Sequence, residues 1–384
     1  MKIIVLGCGN IGSVVARDLA ESMPSAQIAM ADLEQSRVEE AVSKIGRGNV
    51  SWVQVDASNK HELVQSLKKF DLAVGTLPGS MGFQACKAAI SAKVDMVDVS
   101  YMSENVMVLD KAALKANVCI VPDCGMSPGL GNILVGHAIN RLDNVEAVFM
   151  LNGGLPEKPV PPLDYVITWS VKDLIDMYFR KVTIVKEGKL AKVEAMSGLE
   201  MIRFPMVGKL EAFYTDGLRT LLHTVKGVKN MWEKTLRYRR HIEKIKLLKS
   251  LGFFDEKPIE IGNLSVSPRE LTAKLFEKKL KKPEVRDIVA MMVKVGGVKK
   301  GRRTTYTYHL LDHCDKKRKV TAMARTTAYT ASVVAQLMAK RVVEEKGVVP
   351  PEKLGMNEKF YRKFMDQMKK RGITVKERRN TSFS

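Results

Sequence analysis

Residues 2 to 32 hold the pattern that most restricts how this chain can fold. An apolar run, Lys2-Ile3-Ile4-Val5-Leu6, is followed by Gly7, Gly9 and Gly12 at G-x-G-x-x-G spacing, a helix-forming stretch, a second apolar run Gln27-Ile28-Ala29-Met30-Ala31, and Asp32. Each glycine has a mechanical role: Gly7 permits a tight turn out of the first strand, Gly9 lacks the side chain that would block a pyrophosphate, and Gly12 lets the helix pack closely. A helix beginning near Ile11, with Asn10 before it, turns its free amide groups and positive dipole end toward that anion. The order strand, glycine turn, helix, strand, acid predicts a dinucleotide-binding unit.

Asp32 lies 20 residues after Gly12 and is followed by Leu33 and Glu34 rather than a basic residue. A carboxylate there accepts hydrogen bonds from ribose hydroxyls and repels a 2′-phosphate, so the expected cofactor is NAD rather than NADP. The other reading of Asp32, a cap for the next helix, stays open.

The 384 residues are 45% hydrophobic, enough for one large core and for two domains. No run of about 18 apolar residues occurs and the chain opens on a strand, so a soluble, cytoplasmic protein without membrane span or signal peptide is expected. The five cysteines Cys8, Cys86, Cys119, Cys124 and Cys314 are scattered without metal spacing, which points to reduced thiols and no metal. Net charge is +21, yet residues 1 to 150 carry 13 Lys+Arg against 16 Asp+Glu, so the positive excess lies in the second part. Basic clusters at 233–249, 278–282, 316–319 and 369–379 show no zinc-finger spacing and no aromatic RNA-binding motif. They read as solvated faces, and no specific nucleic-acid partner is expected.

Short apolar strands near 50–55, 71–75, 96–99 and 118–121 alternate with helices near 34–45, 60–69, 81–92 and 103–116. This α/β alternation predicts a doubly wound parallel sheet of the Rossmann type over residues 1–143. Ligands of such sheets bind beyond the carboxyl ends of the strands, which singles out Asp56-Ala57, Thr76-Leu77-Pro78, Asp98, Ser100, Tyr101 and Asp123. From Asn144 the pattern changes. A strand at 145–151, a loop through Asn152-Gly153-Gly154 and Pro156–Pro162, helices near 170–179, 217–225, 240–250 and 268–279, and strands at 286–295 and 304–311 predict a mixed α/β substrate or dimerisation domain over 144–319. Residues 320–384 read as a helix, 321–344, whose small residues Ala322, Ala324, Ala328, Ala331 and Ala335 let it return to the first domain, followed by a charged tail with a surface helix and frayed end.

Several segments together resemble a known group. They are the Gly7–Gly12 fingerprint, Val121-Pro122-Asp123-Cys124-Gly125-Met126-Ser127-Pro128-Gly129, Leu210–Gly217, Thr235-Leu236-Arg237-Tyr238 with His241, and Val320–Arg325. In that order they resemble the saccharopine dehydrogenase-like superfamily, and within it the L-lysine 6-dehydrogenases, over residues 1 to about 377. Saccharopine reductases and carboxynorspermidine dehydrogenases of that superfamily usually carry Asp where this chain has Ser127, which favours the lysine branch. Arg240 stands where Gly is common before the histidine. The resemblance implies a homodimer that oxidises the ε-amine of L-lysine with NAD, giving 2-aminoadipate 6-semialdehyde and ammonia. A secondary-amine dehydrogenase acting on saccharopine or carboxynorspermidine is the alternative, and a non-catalytic NAD-binding sensor is the alternative from another class.

Such a reaction needs a neutral amine before hydride can leave, hence a base whose pKa lies near the working pH. Asp123, Asp98 and Tyr101 at strand ends are the catalytic candidates, with Asp123 preferred; a helix cap or turn is its competing role. Arg237, Arg239 and Arg240, beside His241, are candidates for the substrate carboxylate, because guanidinium binds carboxylate through two parallel hydrogen bonds. Glu211, Thr215 and Asp216 are candidates for the α-ammonium, or else turn and capping residues. Cys124 reads as a small packing residue, and His137 and His223 as buried, satisfied histidines.

Overall fold

The computed structural model describes residues 1–382. The first sheet contains β1 (Lys2–Leu6), β2 (Gln27–Asp32), β3 (Val50–Gln54), β4 (Leu72–Gly75), β5 (Asp95–Asp98) and β6 (Cys119–Val121). Between them run α1 (Asn10–Ser22), α2 (Gln35–Ile45), α3 (Lys60–Leu67), α4 (Gly79–Ala92) and α5 (Asp110–Ala116). Along β1, Ile3 and Val5 enter one hydrophobic cluster while Ile4 and Leu6 enter another, which is why this strand is apolar without alternation: helices cover both faces.

After α6 (Leu130–Ile139) comes a second, mixed sheet. It is built from β7 (Asn144–Pro156), β8 (Val182–Lys186), β9 (Lys189–Val193), β10 (Glu200–Phe204), β11 (Gly208–Tyr214) and β12 (Asn230–Arg237). A separate hairpin, β13 (Ile259–Ile261) and β14 (Leu264–Val266), precedes β15 (Asp287–Lys299) and β16 (Arg302–His313), which rejoin that sheet. The helices of this region are α7 (Val171–Met177), α8 (Leu221–Thr224), α9 (His241–Ser250) and α10 (Pro268–Leu280).

The C-terminal part serves both sheets. Helix α11 (Ala322–Ala339) is buried along almost its whole length, and its alanines let it lie against α1. Ser332 Oγ and Gln336 Nε2 donate to the buried Asp18 carboxylate of α1 at 2.6 and 3.1 Å. Arg371 completes that clamp, its Nε donating to Asp18 at 2.7 Å. Strand β17 (Gly347–Val348) then adds to the first sheet, giving the parallel order β17-β6-β5-β4-β1-β2-β3. Helices α12 (Pro351–Met356) and α13 (Glu358–Lys370) follow, and β18 (Lys376–Ser382) pairs with β16 to end the second sheet, β10-β11-β12-β7-β15-β16-β18.

Several expectations are corrected here. Asn152-Gly153-Gly154 is not a loop but part of the 13-residue strand β7. Its glycines serve close approach: a Cβ on Gly153 would lie 2.8 Å from the Leu236 carbonyl oxygen, and one on Gly154 2.4 Å from Met323 Cε. The 103–116 helix is a 3-10 turn, Val106–Leu109, followed by α5, and the 217–225 helix shrinks to the four residues of α8. The long C-terminal helix stops at Ala339 rather than 344. Nor is the tail frayed: Phe360, Phe364 and Met368 of α13 are buried, and β18 is hydrogen-bonded into the sheet. A charged composition hid this, because only one side of α13 is apolar. Among the described residues no helix is long and apolar enough to cross a membrane.

Candidate active site

The glycine turn is shaped for an anion. Gly7 has φ +93°, a conformation suited to glycine, and its amide donates to the Ala31 carbonyl at 2.7 Å. A Cβ on Gly12 would stand 1.9 Å from the Gly7 carbonyl oxygen, so α1 can approach the turn only without one. A Cβ on Gly9 would meet nothing, and Gly9, Asn10 and Ile11 are all at least partly exposed. No side chain caps α1 and no acid sits in its first turn, so its end amides remain available. The residues present therefore fit a dinucleotide pyrophosphate.

Asp32 closes this cradle. Its Oδ2 accepts from the Cys8 amide and the Cys8 thiol, both at 3.0 Å, while Oδ1 accepts only the longer 3.3 Å bond from the Glu34 amide. Burial pushes the Asp32 carboxyl up, but these hydrogen bonds outweigh it and the net shift is downward. Thr76 spends its hydroxyl on the Leu6 and Gly7 carbonyls, at 2.8 and 3.1 Å, and so braces the glycine turn. Leu77 is half-buried against the core, and Pro78 is exposed at the start of α4. Asp56 is tied to its own turn by the Ser58 amide and hydroxyl, with Ala57 half-buried beside it. Ser100, expected at the cofactor, is buried and donates both amide and hydroxyl to Asp98.

Asp98 and Asp123 lie at the ends of the adjacent strands β5 and β6, where the Cys124 amide donates to the Asp98 carbonyl at 2.7 Å. Both are buried. Burial pushes the Asp98 carboxyl up to about 7, with Asp123 adding to the rise and the Ser100 hydrogen bonds opposing it. Asp123 faces Arg219, whose Nε donates to Oδ1 and Oδ2 at 3.0 and 3.1 Å. Arg219 also donates to the Met102 carbonyl and lies 3.9 Å from Asp216. Tyr101 donates its hydroxyl to the Asp216 carbonyl at 2.9 Å, and the guanidinium groups of Arg180 and Arg219 lie 4.3 and 5.6 Å from its ring centroid. Burial pushes the Tyr101 hydroxyl up, so it stays protonated. Cys124 is buried with its thiol likewise pushed up, as a packing residue should be.

The second sheet supplies the facing wall. Asn152 and Thr235 are register partners on β7 and β12, and Glu233 and Arg237 flank Thr235 at two-residue steps, so all four share one face. Thr215 Oγ1 donates to Glu233 at 2.6 Å, and Asn152 Nδ2 does so at 3.3 Å. Burial pushes the Glu233 carboxyl up to about 7. Arg237 lies with its guanidinium carbon 4.4 Å from the Tyr165 ring centroid and donates Nη1 to the Leu236 carbonyl at 2.8 Å. Among the described residues three buried side-chain polar atoms lack a protein partner: Ser127 Oγ, Asn152 Oδ1 and Arg237 Nε. Ser127 Oγ and the Met150 and Met291 methyl groups all border the missing Gly131 side chain, and Met291 is Asn152's partner on β15. All three orphans thus lie on or beside one face of the second sheet, each short of a hydrogen-bond partner within the protein.

The structure brings Asp98, Asp123, Tyr101, Asp216, Thr215 and Arg237 to this region. It does not bring Arg239 and Arg240, which are exposed; Arg240 pairs with Glu243 at 3.1 Å. Glu211 is buried but accepts from the Arg240 and Ile242 amides at 3.0 and 2.7 Å, holding the start of α9. His241 is buried; its Nδ1 lies 2.8 Å from the Leu163 carbonyl and must donate to it, leaving Nε2 to accept the Tyr178 hydroxyl at 2.7 Å. Burial lowers its pKa to about 3, so it positions Tyr178 and carries no charge. Arg219, Glu233 and Asn152 were missed by sequence reasoning. Arg219 closely follows Thr215 and Asp216, and that proximity was the available signal; Asn152 was hidden by the glycines after it.

A Rossmann sheet whose glycine turn fits a pyrophosphate, joined to a mixed sheet that carries a cluster of buried polar side chains, defines a two-domain NAD(P)-binding protein. Residues 3–121 match the saccharopine dehydrogenase NADP binding domain and residues 125–373 the saccharopine dehydrogenase C-terminal domain. The chain belongs to the saccharopine dehydrogenase family. It is 24% identical over 306 residues to saccharopine dehydrogenase (NADP+, L-glutamate-forming) of Pyricularia oryzae, a match covering 76% of this chain and 66% of that protein. With the bovine mitochondrial alpha-aminoadipic semialdehyde synthase it is 26% identical over 52% of this chain but only 22% of that protein. Carboxyaminopropylagmatine dehydrogenase of Synechocystis is 20% identical over 92% of both chains. The apo saccharopine dehydrogenase (L-Glu forming) of Saccharomyces cerevisiae superposes with a TM-score of 0.80 over 99% of both chains at 18% identity, a likeness of fold.

Proposed function

We propose that this chain is an NAD-dependent amine dehydrogenase that oxidises the ε-amine of free L-lysine to 2-aminoadipate 6-semialdehyde with release of ammonia. One observation carries the choice of substrate. On the cleft wall Arg237 has an unspent donor, whereas Arg219 is committed to Asp123, Asp216 and Met102, and Arg180 leans on Asp176 and the Met102 carbonyl. One guanidinium with a free Nε–H suits a substrate with one carboxylate and two amines. Saccharopine, with three carboxylates, would require more cationic partners than this wall offers.

The dinucleotide, when bound, supplies the hydride acceptor. Asp32 supports NAD, since its carboxylate would oppose a 2′-phosphate although the family's domain is described as NADP-binding. Asp123 orients the amine and relays its proton to Asp98 beside it. Burial pushes the Asp98 carboxyl up to about 7, so Asp98 can accept a proton near neutrality. Arg219 fixes the Asp123 carboxylate in place, and Arg237 receives the substrate carboxylate. Loss of hydride from Cε leaves an imine, which water hydrolyses to aldehyde and ammonia.

The relatives' names favour a second reading, oxidation of saccharopine or a related secondary amine. The deciding experiment follows NAD and NADP reduction with L-lysine, saccharopine and carboxynorspermidine in parallel, with an ammonia assay. Lysine-dependent NADH formation with equimolar ammonia supports the proposal; much faster turnover of saccharopine without ammonia replaces it. Association as a homodimer belongs to the same proposal, and light scattering checks it.

A further inference from the structure

Asp123 and Arg219 both hold left-handed backbone on loops from distant parts of the chain, and such conformations persist only where the surroundings over-determine them. Those surroundings converge on a buried acid that the reaction itself does not use, Glu352 of α12, which is 0% exposed. Its Oε2 accepts from Thr220 Oγ1 at 3.0 Å and from Asn132 Nδ2 at 3.1 Å, and its Oε1 accepts from Thr224 Oγ1 at 2.6 Å. All three donors are uncharged. A carboxylate buried among neutral groups is costly unless its lone pairs are used, and here three donors meet it at once. Each donor leads toward the Asp123–Arg219 pair. Thr220 directly follows Arg219 and opens α8, which Thr224 closes. Asn132 lies in the first turn of α6, and its Oδ1 accepts from the Gly129 amide at 3.1 Å. Gly129 ends the turn that starts at Asp123; its φ is +133°, and a Cβ on it would lie 2.0 Å from the Gly125 carbonyl oxygen. Two further glycines bring Glu352 within reach. A Cβ on Gly136 of α6 would lie 1.9 Å from the Glu352 carbonyl oxygen, and one on Gly355 of α12 2.1 Å from the Ile133 carbonyl oxygen.

We infer that Glu352 is a positioning residue for the reacting acid: by holding Thr220 and, through Asn132, Gly129, it sets the Arg219 guanidinium against the Asp123 carboxylate. The inference rests on the reading above that Asp123 works on the amine, and deepens it. Glu352 reaches these partners across 132 residues to Thr220 and 220 to Asn132, so the C-terminal segment becomes part of the site's framework. Arg219 is also among the groups that lower the Asp98 carboxyl against the effect of burial, so its placement affects the pH at which Asp98 loses its proton. Negative charge on Glu352 is not what this role needs. In Glu352→Gln, Nε2 can face Thr224, whose hydroxyl can turn to the Thr220 carbonyl 3.1 Å away, while Oε1 keeps Thr220 and Asn132.

Steady-state kinetics on Thr220→Val, Glu352→Ala and Glu352→Gln test this, with whichever of L-lysine and saccharopine the wild type oxidises. Thr220→Val is near-isosteric and removes only the hydroxyl. It is expected to lower kcat about tenfold, as small displacements of a reacting group do, with the KM for NAD within about twofold of the wild type. The pH at which log kcat/KM levels off should move upward, because Arg219 sits less firmly beside the two acids. Glu352→Ala should lose at least as much, and Glu352→Gln should stay within about threefold of the wild type. If Glu352→Ala does not fold, the other two variants decide. Wild-type kcat and pH profile in Thr220→Val overturn the inference. So does a loss in Glu352→Gln as large as that in Thr220→Val, or a loss shared equally by kcat and the KM for NAD, which marks general loosening. Hydrogen–deuterium exchange separates this role from the amine reading. In Thr220→Val the amides of residues 123–129 and 215–224 are expected to exchange about threefold faster or more, and those of residues 7–12 as in the wild type. Unchanged exchange at both segments overturns the role whatever amine is oxidised. Faster exchange confined to them, in a protein that does not oxidise lysine, upholds the role and rejects the lysine reaction.

Discussion

Arg219 holds both carboxylate oxygens of Asp123 through a single nitrogen, at 3.0 and 3.1 Å, and both residues have left-handed backbone, φ +48° and +51°. Neither is glycine, so each conformation costs energy that surrounding contacts must offset. The pair spans the two sheets' loops and is buried at both ends. Removing Arg219 takes away the side-chain donor of the buried Asp123 carboxylate.

Arg219→Ala is therefore expected to lower stability by about 3–5 kcal/mol, the cost of an uncompensated buried carboxylate. Urea denaturation measures it. Asp123→Ala should cut turnover by a factor of about 100 or more while leaving NAD affinity nearly unchanged, as for removal of a group that acts on the proton. Unaltered turnover would take Asp123 out of the mechanism.

pH dependence follows from Asp98 and Glu233, whose folded pKa values of about 7 exceed their ordinary 3.8 and 4.5. Between those limits the folded chain holds protons that the unfolded chain has released. Their contribution to stability is thus complete below about pH 4 and declines as pH rises to about 7. Asp98→Asn should flatten that decline in denaturation curves taken from pH 4 to 8. Turnover should run the other way, log kcat/KM rising with pH and levelling off near 7, because a proton acceptor works only when empty.

At the cofactor turn, Gly12→Ala should abolish NAD binding and cost about 1–3 kcal/mol, since the new methyl group would overlap the Gly7 carbonyl. Asp32→Ala should instead keep the fold and shift the NADP to NAD ratio of kcat/KM upward on the order of tenfold, by removing a like charge from the 2′-phosphate position. A ratio that stays the same would remove Asp32 as the determinant of cofactor choice.

Asp18 ties α1 to α11 and to Arg371. Asp18→Ala should destabilise the protein by about 1–3 kcal/mol, because the buried Ser332 and Gln336 and the Arg371 guanidinium lose their shared acceptor. A midpoint in chemical denaturation within about 0.5 kcal/mol of the wild type would show that the clamp is dispensable.

The strand-turn-helix opening could be read from residues 2 to 32 because its determinants are local: both faces of a parallel strand are buried, and three glycines answer steric demands within a dozen residues. Asp98, Asp123 and Tyr101 were legible for a related reason, as parallel sheets put binding residues just past strand ends. Local signals misled where long-range contact reversed their meaning. Gly153 and Gly154 look like a turn, yet they lie in a strand because Leu236 and Met323 press against them. Arg239 and Arg240 look like Arg237, yet only Arg237 is buried, since β12 ends at Arg237 and the other two lie exposed beyond it.

By itself, then, the amino-acid order determined the nucleotide-binding turn, the change of pattern near Asn144 and the residue types available for chemistry. Only tertiary structure decided which of them meet: Arg219 reaches Asp123 across 96 residues, and Asn152 reaches Glu233 across 81. Sheet register and burial made those choices. They depend on which strands pair and which polar atoms lose water, and no local pattern encodes either.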